Sequence, residues 1–440
     1  MIAGGRVIDP DSGFDATAHV GVDGSTVTAV SATPLKAKST IDAAGLVVCP
    51  GFIDLLSNAP DDYGARFKIA DGVTTNLGMH GLDGPAADFF ARYQDKAMVN
   101  FGGALRNPSR RAAVAGLGLA ASPNSDQVRQ LADDAQQQIQ QGWIGIDFEP
   151  EYIPGTSREE MAALGKVAQQ NNVVCTFHGR YSSFDQELQT IDEVMVVARD
   201  SGARCHIEHL VSTGGTFHMA DALGKLATAR QQGLDMSACT FPYGFWGAPV
   251  ASARFDPGWD QRFHITYNDL QVPGTTERLT EATFNQLRST GTVAVAYAIP
   301  EESVVAALKD PDTMIGSDAI LAPGNDTHPA ASGCFSRVLG RYVRDQKVLD
   351  LRTALAKMTI MPAKRFGTKA PALAKKGRLA RGADADITVF DPKTVSDRST
   401  VEQPAVESAG VQWVLVMGQQ VRTPKGTNDV HAGQPIRFQA

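Results

Sequence analysis

Several short apolar runs of this sequence end in a side chain that could do chemistry. His80, His178 and His209 close three of these runs, and Asp318 closes a later one. Imidazole is a preferred zinc ligand, and a catalytic zinc keeps three protein ligands and an open position for water. Zinc lowers the pKa of that water towards about 7, and a nearby carboxylate can move its proton to a leaving nitrogen. We therefore expect one divalent metal ion, Zn²⁺, at the three histidines, with Asp318 as the catalytic carboxylate.

The run that ends at His209 offers more than one candidate ligand. A single histidine near a strand end is more often a hydrogen-bonded structural residue, so each one is weak evidence alone. His206 and Glu208 would share one face of this strand while Ile207 and His209 share the other, because side chains alternate. Only one pair can face a barrel interior. If His209 binds the metal, we expect His206 to pack against the outer helices.

The elements that must position these residues alternate along the chain. Apolar runs of strand length lie at residues 50–56, 72–78, 99–105, 143–149, 172–178, 203–209, 234–241 and 313–318, most of them followed by a helix-length segment. This alternation is typical of a parallel sheet with crossover helices. Eight such units predict an α/β fold, a (β/α)₈ TIM-like barrel, whose catalytic groups sit at the carboxyl ends of the strands.

Both chain ends have a different pattern, with short β-like runs separated by turn residues. Residues 1–48 and 372–440 are therefore predicted to pair in one small β-sandwich domain, with the barrel of residues 49–371 inserted between its halves. Residues 245–300 are too long for a simple crossover. We expect this insertion to form a lid or subdomain over the site.

Composition restricts the partners. The formal net charge is −7 without a long block of like charges, so nucleic acid or an anionic membrane would find nothing strongly basic to bind. A small-molecule partner is expected, and a homo-oligomer stays open. The five cysteines are scattered, and the sequence has neither a signal-peptide pattern nor a membrane-spanning apolar stretch. These features predict a cytoplasmic protein.

Short motifs are spread along almost the whole chain, namely Gly5–Pro10, Pro50–Asp54, Gly72–Thr75, Tyr152–Gly155, Phe241–Tyr243, Ile315–Asp318, Gly340–Arg344 and Gly382–Asp386. Together they resemble the D-aminoacylase (N-acyl-D-amino-acid deacylase) branch of the amidohydrolase superfamily. The resemblance implies a metal-dependent hydrolase acting on an amide C–N bond. It implies His178 and His209 as ligands from strands five and six and Asp318 as the catalytic aspartate. At the strand-two ligand, usually a cysteine in this branch, it places His80.

Two departures from the branch concern the metal. The first strand of the superfamily ends in His-x-His, but positions 56 and 58 are Leu56 and Asn58. A leucine cannot coordinate metal and an amide oxygen is a poor zinc ligand, so we expect one metal instead of two. No lysine ends strand four to form a bridging carbamate. Glu149 or Asp147 could serve there as a ligand, although a supporting role is favoured.

Other departures concern the substrate. Two cations that the branch pattern places near the site are replaced by Val211 and Ala330, which argues against an ordinary N-acyl-D-amino acid. The predicted substrate contacts are instead Arg180, Tyr243, Glu149 and Tyr152. The alternatives for Arg180 and Tyr243 are an ion pair on the barrel rim and a core tyrosine.

Three functions follow from this pattern. The first is a metal-dependent amidohydrolase with an altered metal site and altered carboxylate recognition. The second keeps the fold and the metal but performs a lyase, transferase or other tailoring reaction in a specialised pathway. The third is a descendant that binds a ligand without turnover, as the loss of His-x-His suggests.

Overall fold

The computed structural model describes residues 1–324 and 327–440. Its strands, in chain order, are β1 (Ile2–Asp9), β2 (Phe14–Asp23), β3 (Thr26–Ser31), β4 (Ile41–Asp42), β5 (Val47–Pro50), β6 (Phe52–Asp54), β7 (Val73–Leu82), β8 (Asn100–Arg106), β9 (Gly145–Phe148), β10 (Val174–Phe177), β11 (Arg204–Ile207), β12 (Met236–Thr240), β13 (Trp246–Pro249), β14 (Leu270–Gln271), β15 (Val293–Ala296), β16 (Thr313–Ile315), β17 (Ile387–Phe390), β18 (Val411–Val416), β19 (Gln419–Thr423) and β20 (Gly426–Thr427).

The α-helices are α1 (Asp62–Ala70), α2 (Ala86–Tyr93), α3 (Asn107–Ala115), α4 (Ser125–Gln140), α5 (Arg158–Asn171), α6 (Leu188–Ser201), α7 (Met219–Gln231), α8 (Trp259–Phe263), α9 (Glu281–Thr290), α10 (Glu301–Lys309), α11 (Ala330–Arg337), α12 (Leu351–Met358), α13 (Ile360–Phe366) and α14 (Pro371–Ala374). Short 3₁₀ turns lie at Ala253–Phe255 and Tyr267–Asp269, and a π-helical segment, Val338–Asp345, continues α11.

The predicted barrel is confirmed. Eight parallel strands lie side by side in the order β6 to β12 and then β16, and each falls within or overlaps a predicted apolar run. All residues of β9, β10 and β16 are buried. Parallel strands covered by helices are buried on both faces, which explains why their sequences are continuous apolar runs without polar alternation.

A buried ionic network joins the first and last strands of the barrel. The Asp54 carboxylate at the end of β6 accepts hydrogen bonds from the Ser317 amide at 3.0 Å and the Ser317 hydroxyl at 2.6 Å. The Lys68 ammonium of α1 lies 2.6 Å from Asp54 and 2.7 Å from the Ser317 hydroxyl. Lys68 and Asp54 are fully buried, so each charge depends on the other. This network fixes the backbone immediately before Asp318.

The two chain ends meet in one nine-stranded sheet, as predicted. Strand β5 lies between β1 from the N-terminal segment and β17 from the C-terminal segment. The last residues leave this sheet and contact the barrel, where the Ile436 amide donates to the Phe101 carbonyl at 2.7 Å. The division at residues 48 and 372 stays a prediction.

The insertion forms a small layer over the carboxyl ends of the barrel strands. Strands β13 and β14 pair with β15 on either side in an antiparallel sheet. Trp246 of β13 packs against Phe255 and Phe263, with ring centroids 5.4 and 5.2 Å away. Aromatic packing thus gives this layer its own core, while its role as a lid or subdomain with bounds near 245 and 300 stays a prediction. Within the described residues, no helix is both long and apolar enough to cross a membrane.

We predict that Lys68→Met destabilises the fold by about 3–5 kcal/mol, because it leaves the buried Asp54 carboxylate without its cation. Chemical denaturation should show this loss, and adding Asp54→Asn to the same chain should recover part of it. The matched control is Arg66→Met on the same helix. Arg66 pairs with Asp429 at the surface, so its loss should cost less than about 1 kcal/mol. Equal effects of the two substitutions would contradict the role of the network.

Candidate metal centre

A cavity of about 750 Å³ opens at the carboxyl ends of the barrel strands. The barrel side of its wall includes His80, His178, His209 and Asp318. The insertion supplies the opposite wall, through Trp246, Gly247, Pro249 and residues 251–254. TIM barrels place their active sites at this face, so the predicted residues converge where the fold favours catalysis.

Three imidazoles form a compact group in this cavity. One ring nitrogen from each of His80, His178 and His209 lies within 4.8 Å of the other two. Nδ1 of His178 faces Nε2 of His209 at 3.1 Å. Two nitrogens bound to one tetrahedral zinc at about 2.05 Å would be about 3.3 Å apart. The observed spacing therefore fits two ligands of one metal ion, with His80 as the third.

The backbone is unusual at two of these positions. His209 follows β11 with a φ of +25°, and Asp318 follows β16 with a φ of +59°. Side chains other than glycine rarely adopt positive φ, and such residues cluster at functional sites. The Asp318 amide donates to the Leu56 carbonyl at 2.8 Å, which holds this conformation. The two turns direct both side chains into the cavity.

Carboxylates orient two of the three imidazoles. Nε2 of His178 lies 2.7 Å from Glu151, and Nδ1 of His80 pairs with Glu208. A carboxylate that accepts from one ring nitrogen fixes the tautomer and leaves the other nitrogen with its lone pair. Glu151 therefore assigns the lone pair of His178 to Nδ1, the atom that faces His209.

The electrostatic environment separates His80 from the other two histidines. Burial lowers the pKa values of His178 and His209 well below the usual range, and neighbouring cations add to this effect. Both rings are therefore neutral and able to bind metal at neutral pH. Burial opposes the charged form of His80 as well, but Glu208, Glu149 and Asp147 outweigh it and raise its pKa well above the usual range. A cation bound at His80 must therefore displace a proton.

His80 also belongs to a second group of possible ligands, together with Asp147 and Glu208. Both carboxylate oxygens of Asp147 and Oε1 of Glu208 are buried without a hydrogen-bond partner among the described residues. Burial and the neighbouring acids raise the pKa of Asp147 well above its usual range. Orphaned carboxylate oxygens favour a proton or a cation beside them, because an isolated buried charge is costly.

Asp318 is suited to proton transfer. It is half-buried in the cavity wall beside the histidines, and burial raises its pKa to about 7. A carboxylate with a pKa near neutrality can accept a proton from water and return it during one reaction cycle. The catalytic role of Asp318 stays a prediction, which this environment favours.

Glu149 and Tyr152 also line the cavity, and their contact with substrate stays a prediction. Glu149 is buried and accepts two hydrogen bonds from the Arg106 guanidinium, at 2.7 and 3.2 Å. Its position is therefore fixed by an ion pair. Tyr152 packs on the His178 ring with a centroid distance of 4.5 Å.

Arg180 and Tyr243 lie outside the part of this cavity that the described residues define. Arg180 pairs with Glu193 at 3.0 Å and donates to the Thr156 carbonyl at 2.7 Å. Tyr243 is only 2% exposed and lies under the Arg337 guanidinium, 4.6 Å from its ring centroid. These contacts favour an ion pair on the barrel rim for Arg180 and a core position for Tyr243 over substrate binding.

The run that ends at His209 follows the predicted alternation of side chains at His206 but not at Glu208. His206 packs against Phe366 of the outer helix α13, with ring centroids 5.4 Å apart, and bonds Ser237 at 2.8 Å. Glu208 does not follow it outward but reaches His80. Strand β11 ends at Ile207, so the alternation no longer applies at Glu208.

Two residues that contact the site, Arg254 and Glu151, were not predicted from the sequence. Arg254 is buried in the insertion, lies 4.0 Å from the Trp246 ring centroid, and donates to the Ser212 hydroxyl and carbonyl at 2.9 and 2.7 Å. Its Nε lies 3.5 Å from the second missed residue, Glu151. The two-residue spacing of Asp147, Glu149 and Glu151 could have indicated Glu151. We find no comparable sequence signal for Arg254.

Comparisons with known proteins agree with this geometry. The family model described as Amidohydrolase family matches residues 154–422. N-acyl-D-glutamate deacylase of Alcaligenes xylosoxydans xylosoxydans is 31% identical, and the alignment covers 95% of this chain and 92% of that protein.

Solved structures with the same architecture include two deacylases. The N-acyl-D-glutamate deacylase of Bordetella bronchiseptica, complexed with zinc and a phosphonate inhibitor, has a TM-score of 0.87 at 26% identity and covers 99% of this chain and 98% of its own. A D-aminoacylase whose structure is described in terms of one-metal activation and second-metal attenuation has a TM-score of 0.85 at 25% identity. The match covers 100% of this chain and 99% of that one. The family match spans more than half of the chain and the Alcaligenes relative covers nearly all of it, so this chain belongs to the amidohydrolase family.

Proposed function

We propose that this chain is a metal-dependent hydrolase that cleaves an amide C–N bond of a small molecule. The single observation that carries the proposal is the convergence of three imidazole nitrogens within 4.8 Å in a cavity that also contains Asp318. The relatives support the same class of reaction, since two of them are named as deacylases of N-acyl-D-glutamate.

His80, His178 and His209 are the proposed ligands of one divalent ion, with Zn²⁺ as the expected metal. The 3.1 Å spacing of the two facing nitrogens suits this ion, and the orphaned oxygens of Asp147 and Glu208 give a cation a favourable potential. Leu56 and Asn58 supply no second set of ligands from the first strand. The zinc of the Bordetella deacylase and the one-metal activation of D-aminoacylase support this choice.

When bound, the metal would supply Lewis acidity that makes water nucleophilic near neutral pH. The chain's own residues would then direct the reaction. Asp318 would accept the proton of the attacking water and deliver it to the leaving nitrogen. Glu151 would hold the His178 ring in its ligating tautomer. Tyr152, packed on that ring, and Glu149, fixed by Arg106, would border the substrate.

The charges of the cavity indicate the kind of substrate. Its two arginines, Arg106 and Arg254, already contact Glu149 and Glu151. Within the described residues, the cavity wall therefore has no cation without a carboxylate beside it. We propose a substrate that lacks a free carboxylate next to the scissile nitrogen, in keeping with the loss of two cations at Val211 and Ala330.

The alternative functions have less support. A repurposed lyase or transferase would keep the fold and metal, but the named relatives are deacylases. A non-catalytic descendant would have no need to keep Asp318 beside three convergent imidazoles. We also propose a cytoplasmic location, which agrees with five buried cysteines that are free in the described residues.

We predict about one tightly bound divalent ion per chain by elemental analysis of the purified protein. His178→Ala and His209→Ala should each abolish this binding, because each removes a nitrogen of the facing pair. The matched control is His206→Ala on the same strand run, which should retain the metal because His206 faces α13. Two equivalents of metal, or equal loss in all three variants, would contradict the proposed ligand set.

We predict that Asp318→Asn keeps the fold and the metal but lowers kcat by about 10²–10⁴-fold, because the nearly isosteric amide cannot accept a proton. Metal content and turnover of an active amide substrate should be measured on the same preparation. Loss of metal together with activity would make Asp318 a ligand instead. Near-normal turnover would refute the proposed proton transfer.

We predict that N-acyl-D-amino acids are poorer substrates than the same molecules with the carboxylate converted to a primary amide. Amine release from matched pairs, compared as kcat/KM, measures this preference directly. The reason is that both arginines of the cavity are already paired. A clear preference for the free carboxylate would show that Arg254 or Arg106 exchanges its partner for the substrate.

A further inference from the structure

A second cavity adjoins the one that contains the three histidines. It measures about 460 Å³ and shares Asn58, His80 and Arg106 with the main cavity. These three residues therefore form a wall common to both cavities, and His80 is the proposed metal ligand among them. We call this second cavity the side lobe; its other lining residues are Ala59, Gly81, Leu82, Asp83, Pro85, Asp88, Phe89, Arg92 and Tyr93.

The floor of the side lobe is apolar and firmly packed. Leu82, Phe89 and Tyr93 are only 5–7% exposed. Phe89 lies against Trp143 and Phe101, with ring centroids 5.0 and 5.9 Å away. Preformed, mostly apolar concavities are the usual sites of small-molecule groups. The floor of the side lobe is therefore apolar and preformed, while its charged and polar residues lie elsewhere on the wall.

The arginines around the side lobe are already neutralised. Arg106 pairs with Glu149 at 2.7 Å and approaches Asp83 at 3.3 Å. Arg92 lies over the Tyr93 ring and 3.3 Å from Asp61. Two ionisable groups remain on the wall: Asp88 is exposed to solvent, and His80 pairs with Glu208. Among the described residues, the lobe thus offers no unpaired cation to an anionic group, and its floor suits a neutral apolar one.

The sequence departs from the superfamily pattern at the wall that the two cavities share. Buried Leu56 and exposed Asn58 follow β6, at the positions where the superfamily pattern has two histidines that hold a second metal. Asn58 lines both cavities, so an amide side chain stands where the superfamily pattern has an imidazole. The departure that removes the second metal therefore changes the wall that the two cavities share beside His80.

We propose that the side lobe binds a neutral, apolar acyl arm of the substrate. This inference rests on the proposed function and extends it to the acyl side of the scissile bond. Asp318 lines the main cavity and has no part in the side lobe. The nitrogen that receives its proton must therefore leave on the main-cavity side, and the acyl carbon chain extends past His80 in the other direction.

Two hydroxamates test this assignment without turnover, because the hydroxamate group chelates a bound metal and the carbon chain extends from it. We expect the zinc-loaded protein to bind 3-phenylpropionohydroxamate at least about tenfold tighter than acetohydroxamate in isothermal titration calorimetry, since a buried phenyl group contributes more than this factor requires. Ala59→Phe, which fills the side lobe, should remove the gain and leave acetohydroxamate binding unchanged.

The matched control is Leu119→Ala, a substitution at the mouth of the main cavity, which should preserve the gain. Ala59→Leu replaces Ala59→Phe if the larger substitution prevents folding. Equal affinities for the two hydroxamates would overturn the side-lobe assignment and leave the proposed metal site intact. The same holds if Leu119→Ala loses the gain in affinity while the Ala59 variant keeps it. Failure of acetohydroxamate itself to bind would overturn the proposed metal site, and the side-lobe assignment with it.

Discussion

Two imidazole nitrogens, Nδ1 of His178 and Nε2 of His209, face each other across 3.1 Å inside a buried cavity. Two lone pairs at that distance repel each other, so the arrangement requires a proton on one nitrogen or a cation beside both. Burial lowers the pKa values of both rings, which disfavours the charged form, and Glu151 takes the proton-bearing nitrogen of His178. Without a metal, a neutral His209 that carries its proton on Nε2 can donate to Nδ1 of His178. A divalent cation that displaces this proton can bind both nitrogens at once, and we propose that it does so in the active protein.

The elements around this pair maintain its geometry. The Asp54–Lys68–Ser317 network closes the barrel next to Asp318, so the stability of the fold and the position of the proposed proton carrier depend on the same contacts. On the other side, Arg254 links the insertion to the centre, because it contacts Glu151 and is held by Ser212. The covering layer is thus connected through two side chains to a proposed metal ligand.

Much of this arrangement could be predicted from the sequence. The apolar runs predicted the barrel, and His178 and Asp318 could be placed at strand ends because parallel strands are buried on both faces. Glu208 could not be placed, because β11 ends at Ile207 and the positive φ of His209 breaks the alternation. Arg254 could not be found either. Its position depends on how the insertion packs on the barrel, and no periodic pattern in residues 245–300 records that contact.

The central claim is that one ion binds at the facing imidazole pair. Anomalous diffraction at the zinc edge from crystals of the zinc-loaded protein tests it most directly. We predict one peak at coordination distance, about 2.0–2.1 Å, from Nδ1 of His178 and Nε2 of His209, with His80 as the third ligand. A peak held by Asp147 and Glu208 without His178 and His209, or two peaks of equal strength, would contradict this account.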